Sequence, residues 1–276
     1  MKKLFVTVLL IVVTSTSLVF AQKQTTTAPV KAILDLNNIQ DDRVKVVMIP
    51  QKTTKDEILF QIPKTVPGTY SADNYGKYID ELKAFDAAKK ELKVEKTDEN
   101  TWKIHNAKTL SQVVYFVNDT YDTEKGSGFG KDEVFSPAGS NILKGKNFMI
   151  NNHCFIGYFD GNPDVKYSLT VNHPADLVGS TSLADEDKSP TVDVFNVNRY
   201  FDLTDNPIMY CKPNFETFTV DGMEILFSVY SPNNVHTAKS LLPDLEKMMR
   251  AQKAFLGPIN DNNKYTVLLY LSESDK

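Results

Sequence analysis

The histidine and cysteine residues are the first candidates for chemistry, because imidazole and thiolate groups bind metals and act as bases or nucleophiles. The sequence has only 4 His and 2 Cys. None of the histidines begins an H-E-x-x-H motif, the helix that holds zinc in many metallopeptidases. His153, Cys154 and Cys211 could share a metal ion, but they lack the short-range spacing of a metal site. We therefore predict no metal site in this chain.

The two cysteines have two further interpretations. In an exported protein, Cys154 and Cys211 could form a disulfide bond. Alternatively, each is a separately buried thiol that behaves as a small apolar side chain. The sequence leaves both interpretations open, but a count of 2 Cys excludes a multi-disulfide framework and a zinc-finger array.

Two other stretches contain residue types that occur in active sites. Lys125–Asp132 ends in Gly-Lys, but its glycines are too closely spaced for a phosphate-binding loop, and Asp132 replaces the required hydroxyl residue. Ser136 and Ser140 flank Pro-Ala-Gly rather than standing in a G-x-S-x-G elbow. We therefore predict a surface loop at residues 125–132 and no catalytic residue in the chain.

Two segments combine turn residues with aromatic side chains and are candidates for binding. In Ile62–Tyr70, two prolines and a glycine predict a rigid crossover that orients Tyr70. Asn151–Gly161 contains Tyr158, and its aromatic side chains could line a groove or fill a core. Tyr70 and Tyr158 are therefore the candidate residues of a substrate cleft.

The elements that must position these residues are predicted to be short β-strands. Alternation of apolar and polar residues predicts strands at Val44–Ile49, Glu57–Ile62, Val113–Asn118 and Lys166–Val171. Hairpins are predicted for Leu82–Asp86 with Leu92–Glu95 and for Phe215–Val220 with Met223–Tyr230. The second closes at Asp221-Gly222, a pair suited to a type I′ turn. The spacing predicts a mainly β fold, an antiparallel β-sandwich or a saddle-like sheet.

The pattern changes after Ser231. Apolar residues between Leu241 and Leu256 share one helical face, and Gly257-Pro258 predict the helix end. Tyr265–Leu271 is apolar on both faces, as in a strand covered on both sides by an α/β domain. We therefore expect residues 30–231 to form a β-rich domain and residues 232–276 to begin an α/β domain that this sequence does not complete.

The N-terminal residues resemble an export signal rather than part of the fold. Lys2 and Lys3 precede an apolar run that ends at Phe20, and Ala21 supplies a small residue at a cleavage point. We predict a signal peptide at residues 1–21, a flexible polar leader at 22–29, and release to the periplasm or the outside. An N-terminal membrane anchor is the alternative, although the run is short for a span; after cleavage we expect no stable membrane insertion.

The overall composition fits a globular protein. Of 276 residues, 41% are hydrophobic and 24% are charged. The net charge of -4 argues against a nucleic-acid partner, because phosphate binding requires an excess of Lys and Arg.

Several motifs together resemble one known family. Ile62-Pro63 followed by Pro67-Gly68-Thr69-Tyr70 is similar to the P-x-W-x-P-G-x-Y signature of the N-terminal domain of glycyl-aminopeptidase-type zinc peptidases, metallopeptidase family sixty-one. The similarity continues through the segments Tyr75–Ile79, Leu82–Asp86, Leu92–Val94, Trp102–Ile104, Phe155–Phe159 and Phe201–Ile208. Ala251–Tyr270 resembles the helix and first strand that open the family's thermolysin-like catalytic domain. Thr65 departs from the pattern, because the family usually has Trp there, and Asp73 or Asn74 stands where it often has Arg.

The resemblance implies a non-catalytic domain that supports a catalytic domain and forms one wall of its substrate cleft. The family's zinc helix would lie beyond Lys276, so zinc and a peptide substrate are expected only for a full-length relative, and no cofactor is expected in this chain. The missing Arg puts one substrate contact in question. The alternative function is a free-standing secreted β-sandwich module that binds peptide or glycan without chemistry.

Overall fold

The computed structural model describes residues 28–69, 71–121, 134, 136–258 and 262–272. The signal peptide, most of the leader and the loop at 125–132 lie outside these ranges. In chain order the strands are β1 (Val30–Gln40), β2 (Arg43–Ile49), β3 (Glu57–Gln61), β4 (Ile79–Asp86), β5 (Glu91–Leu92), β6 (Val94–Asp98), β7 (Thr101–His105), β8 (Leu110–Asn118), β9 (Asn141–Leu143), β10 (Asn147–Ile150), β11 (Tyr158–Phe159), β12 (Tyr167–Asn172), β13 (Val178–Ser180), β14 (Val192–Val197), β15 (Ile208–Cys211), β16 (Phe215–Val220), β17 (Met223–Tyr230) and β18 (Lys264–Tyr270). The α-helices are α1 (Asn152–Phe155), α2 (Tyr200–Thr204) and α3 (Ala238–Leu256).

The strands form four sheets within the described residues. The largest has seven strands in the order β14-β12-β1-β2-β8-β4-β5, and its pairs are antiparallel except for the parallel pair β1 and β12. Two four-stranded antiparallel sheets have the orders β13-β15-β10-β9 and β11-β3-β7-β6. The fourth sheet, β16-β17-β18, has three strands. The predicted mainly β, antiparallel architecture is confirmed.

The core joins the sheets because alternate residues of their strands are apolar. In β1, Ala32, Leu34 and Leu36 are buried, and the residues between them are partly exposed. Phe60 of β3 packs against Tyr115 of β8 with ring centroids 5.5 Å apart, so two sheets share this core. Burial of each large apolar side chain contributes about 1.5–3 kcal/mol. The core therefore holds the layers in fixed positions around the loops that connect them.

The hairpin predicted at Asp221-Gly222 is confirmed. The φ angles of these residues are +48° and +85°, the left-handed conformation that a type I′ turn needs at both central positions. β16 and β17 pair from Phe215 opposite Ser228 to Val220 opposite Met223.

The hairpin predicted at Leu82–Glu95 is only partly right. β4 pairs with β5 at Ala84 and Leu92, but β6 pairs with β7 in a different sheet. The chain changes sheets at Lys93, whose carbonyl accepts the backbone N–H of His105. The alternation of apolar and polar side chains does not indicate where the chain passes from one sheet to another, because a strand shows the same alternation in either sheet.

The predicted C-terminal helix and strand are present as α3 and β18. Thr237 and Ser240 exchange hydrogen bonds at the start of α3, and Gly257, with φ +76°, follows its last residue. Pro243 lies inside the helix, in its second turn. β18 runs parallel to β17, so α3 makes the crossover that a parallel pair requires. Among the described residues, no helix is both long and apolar enough to serve as a membrane span.

The expected domain boundary between residues 231 and 232 does not match the sheets. β16 and β17 precede that point, yet they share a sheet with β18, which follows it. Backbone hydrogen bonds between β17 and β18 thus cross the expected boundary. The three-stranded sheet packs on the rest of the fold through Tyr230 and Tyr270, which lie against the cluster of Met149, Met209 and Cys211.

Candidate functional site

A cavity of about 240 Å³ opens where three loops meet the end of α2. Its walls are residues 66–69, residues 137–138, Asn151 with His153, and residues between Phe201 and Pro207. The adjacent residues Asn151, Asn152 and His153 hold these walls together by side-chain hydrogen bonds.

Two asparagines anchor opposite walls of the cavity. Asn151 Nδ2 donates to the carbonyls of Gly139 at 2.6 Å and Pro137 at 3.1 Å. Asn152 Nδ2 donates to the carbonyls of Leu203 at 2.9 Å and Asn206 at 2.8 Å. Both side chains are buried, so these bonds satisfy carbonyl oxygens away from water, and the Leu203 carbonyl also accepts the backbone N–H of Asn206. The Asn-Asn pair therefore fixes where the 137–139 loop and α2 lie relative to each other.

His153 is a neutral, buried imidazole at the cavity wall. It is 3% exposed, and its Nε2 lies 2.8 Å from the carbonyl oxygen of Ala138. A carbonyl only accepts, so Nε2 carries the proton and Nδ1 is an acceptor. Nδ1 is buried without a hydrogen-bond partner. Burial lowers the pKa of His153, and the Ala138 carbonyl opposes this only in part.

His153 packs on Tyr75, whose hydroxyl is bonded to the buried carboxylate of Asp73. The ring of Tyr75 meets the His153 ring edge-on, with centroids 4.7 Å apart. The Tyr75 hydroxyl donates to Asp73 Oδ2 at 2.9 Å, and the Ser71 hydroxyl donates to Asp73 Oδ1 at 2.7 Å. Burial is the largest cause that raises the pKa of Tyr75, and the nearby Cys154 and Asp73 raise it further. The phenol therefore remains a donor. This arrangement positions the loop after residue 69; among the described side chains it presents no activated nucleophile.

Of the two predicted cleft residues, the structure describes only Tyr158. Tyr70 lies outside the described residues, although its neighbours at 66–69 line the cavity. Tyr158 lies on β11, where it is half-buried and packs on Tyr200 with centroids 5.3 Å apart; Tyr200 in turn packs on Tyr167. Burial raises the pKa of Tyr158. Tyr158 thus belongs to an aromatic cluster and is not among the residues that line the cavity.

The cysteines are two buried free thiols, so the disulfide considered from the sequence is not formed. Cys211 lies opposite Asn147 in the pair of β10 and β15. Cys154 lies beyond Ile150, at the other end of that pair. Three residues of β-strand already span about 10 Å, whereas bridged cysteines have Cα atoms about 4.4–6.8 Å apart. The interpretation as two separate thiols is the one that this geometry fits.

A second, larger cavity of about 690 Å³ adjoins the first. The two share Phe201, Asp205 and Pro207, and we call them together the Phe201 groove. The second cavity is also lined by Ser182, Arg199, Asp202, Asn206 and residues 262–266. Sequence reasoning did not select Phe201 or Asp205 as site residues, because the pattern of a five-residue helix does not indicate which side chain remains exposed.

The described residues do not fit a zinc ion. His105 pairs with Glu57, His153 with the Ala138 carbonyl, and His173 with Asp193. In the part of the chain that the structure describes, no three His, Cys, Asp or Glu side chains form a group that could hold a metal. We therefore derive no metal-dependent step from these residues.

Comparison with known proteins identifies the fold. A family model described as the peptidase M61 N-terminal domain matches residues 31–212. Among solved structures, an aminopeptidase N family protein from Idiomarina loihiensis is 19% identical with a TM-score of 0.72, and the match covers 87% of this chain and 39% of that one. An M1 zinc metallopeptidase from Deinococcus radiodurans is 8% identical with a TM-score of 0.46, covering 88% of this chain and 56% of that one. No curated protein matches the sequence.

Proposed function

Because the chain belongs to the peptidase M61 N-terminal domain family, we propose that it is the non-catalytic N-terminal part of a glycyl-aminopeptidase-like zinc metallopeptidase. In this role it supports a catalytic domain and forms one wall of the substrate cleft. Peptide substrate and zinc belong to that combined protein, with the zinc held by the catalytic domain.

The observation that carries this proposal is an uncovered apolar surface on α3. Met248, Phe255 and Leu256 are 47%, 90% and 60% exposed, and their spacing places them on one face of the helix. An apolar patch of this kind marks a contact with another protein surface.

The position of β18 supports the same contact. β18 is the end strand of its three-stranded sheet and runs parallel to its neighbour. The edge of such a strand can accept a further strand, and parallel sheets are usually covered on both faces. We infer that the catalytic domain packs against α3 and extends the sheet at β18.

The coding DNA downstream of Lys276 tests the proposal. We expect a segment that encodes an H-E-x-x-H motif, in the same frame or in an adjoining one. The protein purified as given should hydrolyse no aminoacyl substrate, with or without added zinc. Absence of the downstream motif, or chelator-sensitive hydrolysis by this chain alone, would overturn the proposal.

We also propose that the protein is exported and that it acts in the periplasm or outside the cell. Support comes from Lys2, Lys3, the apolar run and Ala21, which together have the pattern of a signal peptide. Expression of the full chain in a bacterial host should yield a mature protein that begins at Gln22, as read by N-terminal sequencing. An uncleaved protein that stays with the membrane fraction would instead support an anchor.

A further inference from the structure

The Phe201 groove has two exposed aromatic side chains. Phe201 is 48% exposed and Tyr265 is 49% exposed, and both line the larger cavity. On α2, Tyr200 and Leu203 are buried, so Phe201 occupies the outward side of the helix. Arg199 lies over the Phe201 ring, 5.6 Å from its centroid. The remaining exposed surface of the two aromatic side chains provides apolar contact area for a ligand within one concave surface.

The groove also carries an unpaired negative charge. Asp202 is bonded to Arg199, with Oδ1 3.1 Å from Nε. Lys264, the other cation that lines the groove, lies 4.0 Å from Glu224. By contrast, within the described chain the exposed carboxylate of Asp205 makes no ion pair and no hydrogen bond. Asp205 is therefore an unpaired acceptor, which favours a ligand with donors and a positive charge.

The larger cavity adds amide groups that can match a peptide backbone. Asn262 and Asn263 line it and are exposed. A side-chain amide both donates and accepts hydrogen bonds, as a peptide group does. A cavity of about 690 Å³ is in the size range of small-ligand sites.

We propose that the Phe201 groove binds an extended peptide segment in which a basic residue follows an apolar one. The apolar side chain packs on Phe201 and Tyr265, the cation pairs with Asp205, and the amides of Asn262 and Asn263 bind the peptide backbone. A neutral glycan could use the same aromatic faces but would leave Asp205 without a counter-charge. The inference goes beyond the proposed supporting role, because such binding needs only residues of this chain.

Binding of capped tetrapeptides to the full chain tests the proposal. The probes are Ala-Phe-Lys-Ala and the matched Ala-Phe-Glu-Ala, each acetylated and amidated, titrated by calorimetry at low and high salt. We expect the lysine peptide to bind at least about fivefold more tightly than the glutamate peptide, since the lysine pairs with an exposed carboxylate. Added salt should weaken the binding, because Asp205 is exposed to solvent.

Four variants assign the binding to the groove. Phe201→Ala should weaken it about tenfold and Asp205→Asn about fivefold, since the first removes the aromatic face and the second a surface ion pair. Phe215→Ala, equally an exposed phenylalanine, and Asp176→Asn, equally an exposed aspartate, should bind as the unaltered protein does. All four positions are exposed, so the melting temperature should not change.

Several results would overturn the proposal. These are no binding at millimolar peptide, equal binding of both peptides, or unchanged affinity in Phe201→Ala and Asp205→Asn. Binding of a chito- or cello-oligosaccharide that requires Phe201, without binding of the lysine peptide, would identify a glycan site instead. Failure of the supporting role leaves these measurements unaffected, because they require no catalytic domain.

Discussion

The imidazole of His173 and the carboxylate of Asp193 form a buried pair, with Nε2 3.3 Å from Oδ1. The other ring nitrogen, Nδ1, lies 3.0 Å from the carbonyl oxygen of Pro174, and Tyr210 donates its hydroxyl to Asp193 Oδ2 at 2.6 Å. Burial lowers the pKa of His173, but Asp193 and Pro174 raise it more, and the net pKa is raised. Asp193 lies on β14 of the seven-stranded sheet and Tyr210 lies on β15 of another sheet. The hydrogen bond between them therefore joins the two sheets.

This pair predicts a loss of stability as the pH rises above about 6.5, the unfolded pKa of histidine. Because the folded pKa of His173 is raised, its contribution is complete below the unfolded pKa of about 6.5 and is lost as the pH rises through the folded pKa. Urea unfolding between pH 6 and 8.5 should show this decline. Asp193→Asn should be less stable by about 2 kcal/mol at pH 6 and should show a smaller decline. Asp42→Asn, at an exposed turn, is the control; an unchanged decline in Asp193→Asn would contradict the assignment.

His153 predicts the opposite dependence on the acid side. Burial lowers its pKa, so below about pH 6.5 the unfolded chain takes up a proton that the folded chain does not. The free energy of unfolding should therefore decrease as the pH falls below 6.5. His153→Gln keeps a donor for the Ala138 carbonyl but does not titrate, and in urea unfolding it should reduce this decrease. A variant with the same acid dependence as the unaltered protein would rule out His153 as its cause.

The Asn152 side chain predicts a large effect from a small substitution. Its Nδ2 is the donor for two carbonyls at the end of α2. Asn152→Ala removes both hydrogen bonds, although the Leu203 carbonyl still accepts the backbone N–H of Asn206, and should lower the free energy of unfolding by about 2 kcal/mol. Asn152→Asp places a carboxylate against the same carbonyls and should be at least as destabilising. Asn162→Ala, at an exposed asparagine, should change stability by less than about 1 kcal/mol.

The thiols can be counted directly. Unfolded without reductant, the protein should react with two equivalents of a thiol reagent, because Cys154 and Cys211 are free. In the folded protein the reaction should be slow, since burial raises the pKa of Cys154 and raises that of Cys211 to about 11. A parallel sample reduced before unfolding gives the full count. No reactive thiol in the unreduced, unfolded sample would show that a disulfide had formed.

Local features of the fold were predictable because they depend on neighbouring residues. The Asp221-Gly222 pair provides the positive φ angles of its turn, and Gly257 follows the last residue of α3. Alternation of apolar residues likewise predicted the strands, since one face of each must be buried. The family resemblance was recognisable for a similar reason, because its motifs are short contiguous segments of the sequence.

The candidate site and the His173–Asp193 pair depend on residues that lie far apart in the chain, and sequence reasoning did not find them. Asp193 meets His173 and Tyr210 across separate strands, and Asn152 reaches the carbonyl of Leu203 at the end of α2. Local propensity carries no information about such contacts, because they form only when the sheets pack. The exposure of Phe201 has the same origin: burial of the other side of α2 leaves this ring facing the groove.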